Sequence, residues 1–186
     1  MHFVFRFAPE AQPEATLKLK IEINTREHDS LLGFQRYPFN VASSWHQAAA
    51  SILSFVPEEL FGTKLRALLQ RRKGRDLFDI HMGLQQIEMD PDKLIACFDH
   101  YLALEGKPIT RAIAERRMLE KLTHSLTEDV EPLLPVGVRF RANDAMVAFE
   151  NIWNVLIAKI EGDPWKQSER AIEELRQKKY PNLFRL

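Results

Sequence analysis

The segment GTKLRALLQRRKGRDLFD, residues 62–79, crowds six cations into twelve positions: Lys64, Arg66, Arg71, Arg72, Lys73 and Arg75. Asp76 and Asp79 follow at once. Wound as one α-helix, Lys64, Leu68, Arg71 and Arg75 share a narrow stripe, because offsets of 4, 7 and 11 return to the same face. Such a stripe suits a polyanion: lysine is a mobile point charge, and each arginine is a planar fork for two phosphate oxygens. Nucleoside triphosphates and RNA carry those groups. The plainer alternative is a solvated helix face. Arg72 with Asp76 and Arg75 with Asp79 are i,i+4 pairs, each worth about 0.3 kcal/mol without any ligand.

Other reactive side chains offer less. His46, His81, His100 and His124 have no acid or nucleophile at diagnostic spacing and read as surface or packing residues. Trp45, Trp153 and Trp165 are able to stack on bases, but tryptophans are more often core, and Trp153 sits in an amphipathic helical pattern beside Ile152. Cys97 is the single cysteine, which excludes an internal disulfide and suits a reducing, cytoplasmic setting. Lys plus Arg and Asp plus Glu number 26 each, so no overall field steers the chain to nucleic acid or an anionic membrane. The apolar run AAASILSFV is far too short to span a bilayer, and no membrane partner is expected.

The elements that must position these groups fall into two textures. HFVFRF and LKLKIEIN alternate apolar and polar residues with a period of two, which predicts a hairpin joined by the proline-containing APEAQPEA. Segment 25–47 reads as loop with one short strand. From Val56-Pro57-Glu58-Glu59 the period becomes helical, with proline and two acids suited to a first turn. Gly74 breaks or bends that helix, and 76–86 follow as a second helix or an extension of it. Asp90-Pro91 and Asp163-Pro164 read as cap and first-turn proline, and Gly83, Gly106 and Gly162 as helix ends. Helices are expected at 91–105, 108–125, 143–161 and 164–179, the last a solvated helix with Ile172 and Leu175 inward and Lys178 and Lys179 at its end. The fold class is therefore α+β, with a small sheet in residues 1–56 and a helical domain in 57–186.

The pattern K-x-x-A-L-x-x-R-x-x-x-R-D-x-x-D, carried by Lys64, Ala67, Leu68, Arg71, Arg75, Asp76 and Asp79, resembles the helical signature of the AbiEii/AbiGii abortive-infection nucleotidyltransferase family, toxins of type IV toxin–antitoxin systems. LKLKIEI resembles the strand that precedes this helix in the family, and the likeness covers about residues 1–85. It implies a polymerase-beta-like nucleotidyltransferase sheet followed by helices. Lys64 would contact the triphosphate, Arg71 and Arg75 would support the phosphates or anchor the helix, and Asp76 would be the catalytic-helix acid. Asp79 would be structural, and Glu22 would be a carboxylate facing a Mg²⁺ cleft. The implied partners are an NTP, an RNA acceptor such as tRNA, and an antitoxin.

The family's G-G or G-S turn and its D-x-D strand have no counterpart here. No two of the seven glycines are adjacent, and the one D-x-D, Asp90-Pro91-Asp92, has a proline at its centre and reads as a helix cap. The expectation is of a chain corresponding to the C-terminal part of such an enzyme, through a gene model begun late, decay, or a split protein. Its hairpin would then present Phe3, Phe5, Phe7, Leu17, Leu19 and Ile21 on an uncovered face, to be closed by a second copy or a partner. The competing reading is a non-catalytic remnant or module that uses residues 64–75 to bind RNA or an acidic protein.

Overall fold

The computed structural model describes residues 2–22, 29–71, 73–122 and 126–177. The architecture is α+β, with two separate two-stranded antiparallel sheets followed by six α-helices among the described residues. Strand β1 (His2–Phe7) pairs with β2 (Leu17–Glu22) in the register Phe3↔Ile21, Phe5↔Leu19 and Phe7↔Leu17. Alternation puts these six side chains on one face of the ribbon. All six are 43–51% exposed, so the expected hairpin forms and its apolar face is open in the single chain.

A second hairpin replaces the expected loop. Strands β3 (Phe34–Ala42) and β4 (Gln47–Phe55) pair over nine residues each, from Phe34↔Phe55 to Ala42↔Gln47. Two features hide it in the sequence. Ala48, Ala49 and Ala50 erase the alternation of β4, and Pro38 sits in the middle of β3. A two-stranded ribbon tolerates such a proline because each strand has an open edge. The Ser51 carbonyl opposite Pro38 accepts instead from Arg36 Nη1, at 3.4 Å.

The helices are α1 (Pro57–Gln70), α2 (Gly74–Gln86), α3 (Pro91–Glu105), α4 (Arg111–Lys121), α5 (Ala142–Val155) and α6 (Ser168–Arg176), with 3₁₀ turns at Glu131–Leu133 and Ile157–Lys159. Helix α3 matches its expected bounds. Asp90 Oδ1 accepts the Asp92 and Lys93 N–H groups at 2.9 and 3.4 Å, which makes the D-x-D a cap, and Gly106 closes the helix at φ 63°. Elsewhere tertiary contacts move the boundaries. Helix α4 starts at Arg111 and is shorter than 108–125, and α5 stops at Val155 before a separate 3₁₀ turn rather than continuing to 161. Helix α6 begins at Ser168, not Pro164, because Glu115 of α4 accepts the Trp165 N–H (2.8 Å) and the Ser168 hydroxyl. Gly83 lies inside α2 rather than at its end: a Cβ there would fall 2.2 Å from the Phe61 ring, so glycine lets α1 and α2 close together. His124, Lys178 and Lys179 lie outside the described residues, as does the side chain of Leu175.

The core lies among the helices and their connecting segments, which add Ile109, Val130, Phe140 and Ile160 to it. Leu65, Leu68, Leu77, Ile80, Leu94, Phe98, Met118 and Ile152 are wholly buried, and among the described residues before Glu59 none is more than partly buried. Trp153 is core and stacks on Phe149, whereas Trp45 stands exposed at the β3–β4 turn. His81 packs between α2 and α5 beside Asn151, and burial holds its pKa below the ordinary value. Cys97 is wholly buried; burial, reinforced by the Glu59 and Glu58 charges, pushes its thiol up to about 11. No described helix is long and apolar enough to cross a membrane.

Glu59 joins the two halves. Its buried carboxylate accepts from Ser30 Oγ (2.5 Å), Leu31 N (2.7 Å), Leu32 N (3.0 Å) and Tyr101 Oη (2.6 Å). Burial works to raise its pKa, yet the hydrogen bonds together outweigh burial and hold it below the ordinary value. The sequence reading of Glu59 as a first-turn acid missed this long-range role.

Candidate phosphate site at the turn between two helices

Helix α1 presents Lys64, and the first turns of α2 present Asp76 and Asp79. Lys64 Nζ lies 2.6 Å from Asp79 Oδ2, with the two side chains 32% and 41% exposed. Asp76 is 5% exposed, and its Oδ2 has no hydrogen-bond partner. Burial raises the Asp76 pKa, the Arg71, Lys64 and Arg75 charges oppose that rise, and Asp79 adds to it. Lys64, Arg71, Arg75, Asp76 and Asp79 thus form one electrostatic cluster around the α1–α2 turn. Local packing builds that turn. A Cβ on Gly74 would fall 2.1 Å from the Leu126 carbonyl, and the Gly74 N–H donates to Asp129 Oδ1 at 2.9 Å. Only glycine lets the 126–129 segment close on the start of α2.

The single-helix stripe is corrected by this geometry. Helix α1 ends at Gln70, and Arg71 (φ −114°, ψ 156°) and Lys73 (φ −119°, ψ 126°) are extended. Leu68, placed on the stripe by spacing, is wholly buried in the core. Arg71 and Arg75 approach Asp76 because the chain turns there, and Arg72 lies outside the described residues.

Glu22 stands apart from the cluster. It is exposed on β2 and ion-paired to Lys20, whose hydrogen bond and charge lower its pKa. The β1–β2 ribbon makes no extended contact with any helix. No group of three or more His, Cys, Asp or Glu side chains suited to a metal ion occurs among the described residues. The buried carboxylate oxygen of the cluster that lacks a partner is Asp76 Oδ2.

A cleft of about 1110 Å³ opens beside the same turn, between the C-terminal ends of α1 and α3 and helix α4. Its cations are Arg66, Arg71, Lys107, Arg117 and Lys121. Helix α1 has no basic residue in its own last turn, and α4 supplies the missing charge: Arg117 Nη1 donates to the Leu69 carbonyl at 3.3 Å, and Lys121 Nζ donates to the Arg71 carbonyl. Sequence reasoning missed Lys107, Arg117 and Lys121. They are scattered over separate segments and carry no local motif.

Fold and cluster together describe an α+β protein with cations and acids gathered where two helices meet. The profile of the nucleotidyl transferase AbiEii toxin of type IV toxin–antitoxin systems matches residues 2–163, and the chain belongs to this family. The match runs well beyond residue 85, through the helices in which the sequence offered no motif. Membership makes this a nucleotidyltransferase-family toxin and implies an antitoxin as partner. Neither a curated protein nor a solved structure matches the chain.

Proposed function

We infer that the protein transfers a nucleotide from an NTP to an RNA acceptor such as tRNA, in the cytoplasm where both are found. The observation that carries this reading is Asp76, a buried acid with an unpartnered oxygen, set within the charges of Lys64, Arg71 and Arg75. In such a transfer an acceptor hydroxyl oxygen bonds to the α-phosphorus as the bond to the departing pyrophosphate breaks, and the hydroxyl proton is released. Cations positioned beforehand stabilise the charge on the leaving group. Lys64 takes the triphosphate in this scheme. Its bond to Asp79 is part-exposed and so weakly held, which lets phosphate oxygens replace the carboxylate. Arg71 and Arg75 steady the remaining phosphates. Mg²⁺ needs only one or two carboxylates when substrate phosphates complete its shell. Asp76 would hold it, where it would neutralise phosphate charge. Glu22 is left out of this step because it shares no contact with the cluster.

A second reading, a binding module without catalysis, is favoured by the absence of a D-x-D strand and of a three-ligand metal group among the described residues. Two measurements separate the readings. Lys64→Ala should abolish NTP binding by calorimetry while the circular dichroism spectrum is retained; unchanged binding removes Lys64 from the site. Incubation with labelled NTP, tRNA and Mg²⁺ should label the RNA, whereas NTP binding without labelling selects the module.

A further inference from the structure

We propose that the apolar face of the β1–β2 ribbon binds the same face of a second copy of this chain, forming a twofold dimer. The need for a cover comes from the ribbon itself. A two-stranded hairpin is marginal in water without a further strand or a packed layer, and β1–β2 makes no extended contact with any helix. Its six apolar side chains stand side by side, each 43–51% exposed. Large apolar side chains bury about 150–250 Å² each when fully covered, so six half-open ones present roughly 500 Å² per copy, at the upper end of what a monomer leaves bare. Covered in a twofold pair, that becomes about 1,000 Å² in total, the size at which a specific interface begins.

The pattern on the face selects a second copy as the occupant. Its rungs are Phe3–Ile21, Phe5–Leu19 and Phe7–Leu17, so each sets a phenylalanine of β1 beside a branched aliphatic residue of β2. The ladder therefore reads alike from either end. A twofold axis along the strands lays each β1 over the other copy's β2, ring on aliphatic at every rung, and an axis across the strands lays rung on rung in reverse order. Both are closed, self-complementary contacts of the kind most homodimers use. Sheets packed face to face lie about 10 Å apart, which lets such side chains interdigitate. No charge lies on this face: His2, Arg6, Lys18, Lys20 and Glu22 alternate to the other side, where they stay in water. A charged partner gains nothing there, whereas a second copy covers the face without burying a charge. Pairing edge to edge would lengthen the sheet and leave the face bare.

The test measures the mass of the full chain by sedimentation equilibrium over a range of protein concentrations. The mass should rise from one chain to two with a midpoint of about 10 μM, the weak end expected of so small an interface. Added salt should not weaken the dimer, because no buried charge holds it. Leu19 is 51% exposed and lies outside the helical core, so Leu19→Glu should keep the circular dichroism spectrum while weakening dimerisation at least about thirtyfold. Crosslinking gives a second readout that does not depend on that charged variant. The middle rung lies nearest either axis, so Leu19→Cys treated with a short bismaleimide should yield covalent dimers. Lys18→Cys, on the opposite face of the same strand, should yield none, and the wholly buried Cys97 does not compete. A single-chain mass at every concentration would overturn the proposal and leave the face to a different protein. Dimers that survive Leu19→Glu, or that crosslink equally from Lys18→Cys, would overturn it as well. Loss of the dimer in Ile52→Glu but not in Leu19→Glu would also overturn it, by moving the contact to the β3–β4 ribbon.

Discussion

The strands before Pro57 and the helices after it both carry apolar residues at regular spacing, yet they meet water in opposite ways. Leu77 of α2 is wholly buried, while Leu19 of β2 is 51% exposed. The contrast separates two properties that sequence patterns tend to merge. Alternation specifies a strand locally, but burial needs a second layer, and neither ribbon has one within the single chain. Helices α1 to α5 cover one another because each turns an apolar stripe toward its neighbours.

The largest predicted effects test this contrast directly. Leu77→Ala should cost about 4 kcal/mol in urea unfolding, and Leu19→Ala about 0.5 kcal/mol. If a second copy covers the hairpin face in solution, the Leu19→Ala loss should grow with protein concentration and Phe5→Asp should halve the mass measured by light scattering. Equal masses for wild type and Phe5→Asp would show that this face is not a dimer contact. Glu59→Ala, which cuts the tie between the halves, should cost about 3 kcal/mol because it strands the buried Tyr101 hydroxyl and three part-buried donors. Its pH signature is distinct. The folded pKa of Glu59 is depressed, so its contribution is complete above the unfolded value of about 4.3 and disappears as pH falls through the folded value. Glu59→Ala should lack that loss.

Within the helical half, Gly83→Ala should cost about 2 kcal/mol by forcing α2 away from the Phe61 ring. The smallest effect concerns the candidate site. Asp76 has a raised pKa in the folded state, so the native state binds the extra proton and stability falls as pH rises from about 3.9 through the folded value. Asp76→Asn should therefore gain on the wild type across that window and hold a constant advantage above it. A difference that stays flat from pH 3 to pH 8 would show that Asp76 titrates normally.

What could be read from the sequence was what neighbours in the chain decide. The Asp90-Pro91 cap, the Gly106 terminus and the β1–β2 pairing are short-range, and each formed as expected. Lys64, Arg71, Arg75, Asp76 and Asp79 lie within sixteen positions of one another, so their meeting was legible even though the single helix was not. The turn that gathers them depends on Leu126 and Asp129, more than fifty residues later. Glu59, Glu115 and the cleft cations likewise act on distant partners, and periodicity carries no record of distance in space. Glu22 shows the converse: a strand position of the right polarity does not place a carboxylate beside a helix with which its ribbon makes no extended contact.

The sealed position of Cys97 between α1 and α3 gives the molecule a built-in clock. Gly62 holds those helices so close that an added Cβ would fall 2.8 Å from Cys97 Cβ, and the thiol ionises only near 11. A thiol reagent at neutral pH should find nothing to modify until the helices part, so the labelling rate would report how often the interior opens.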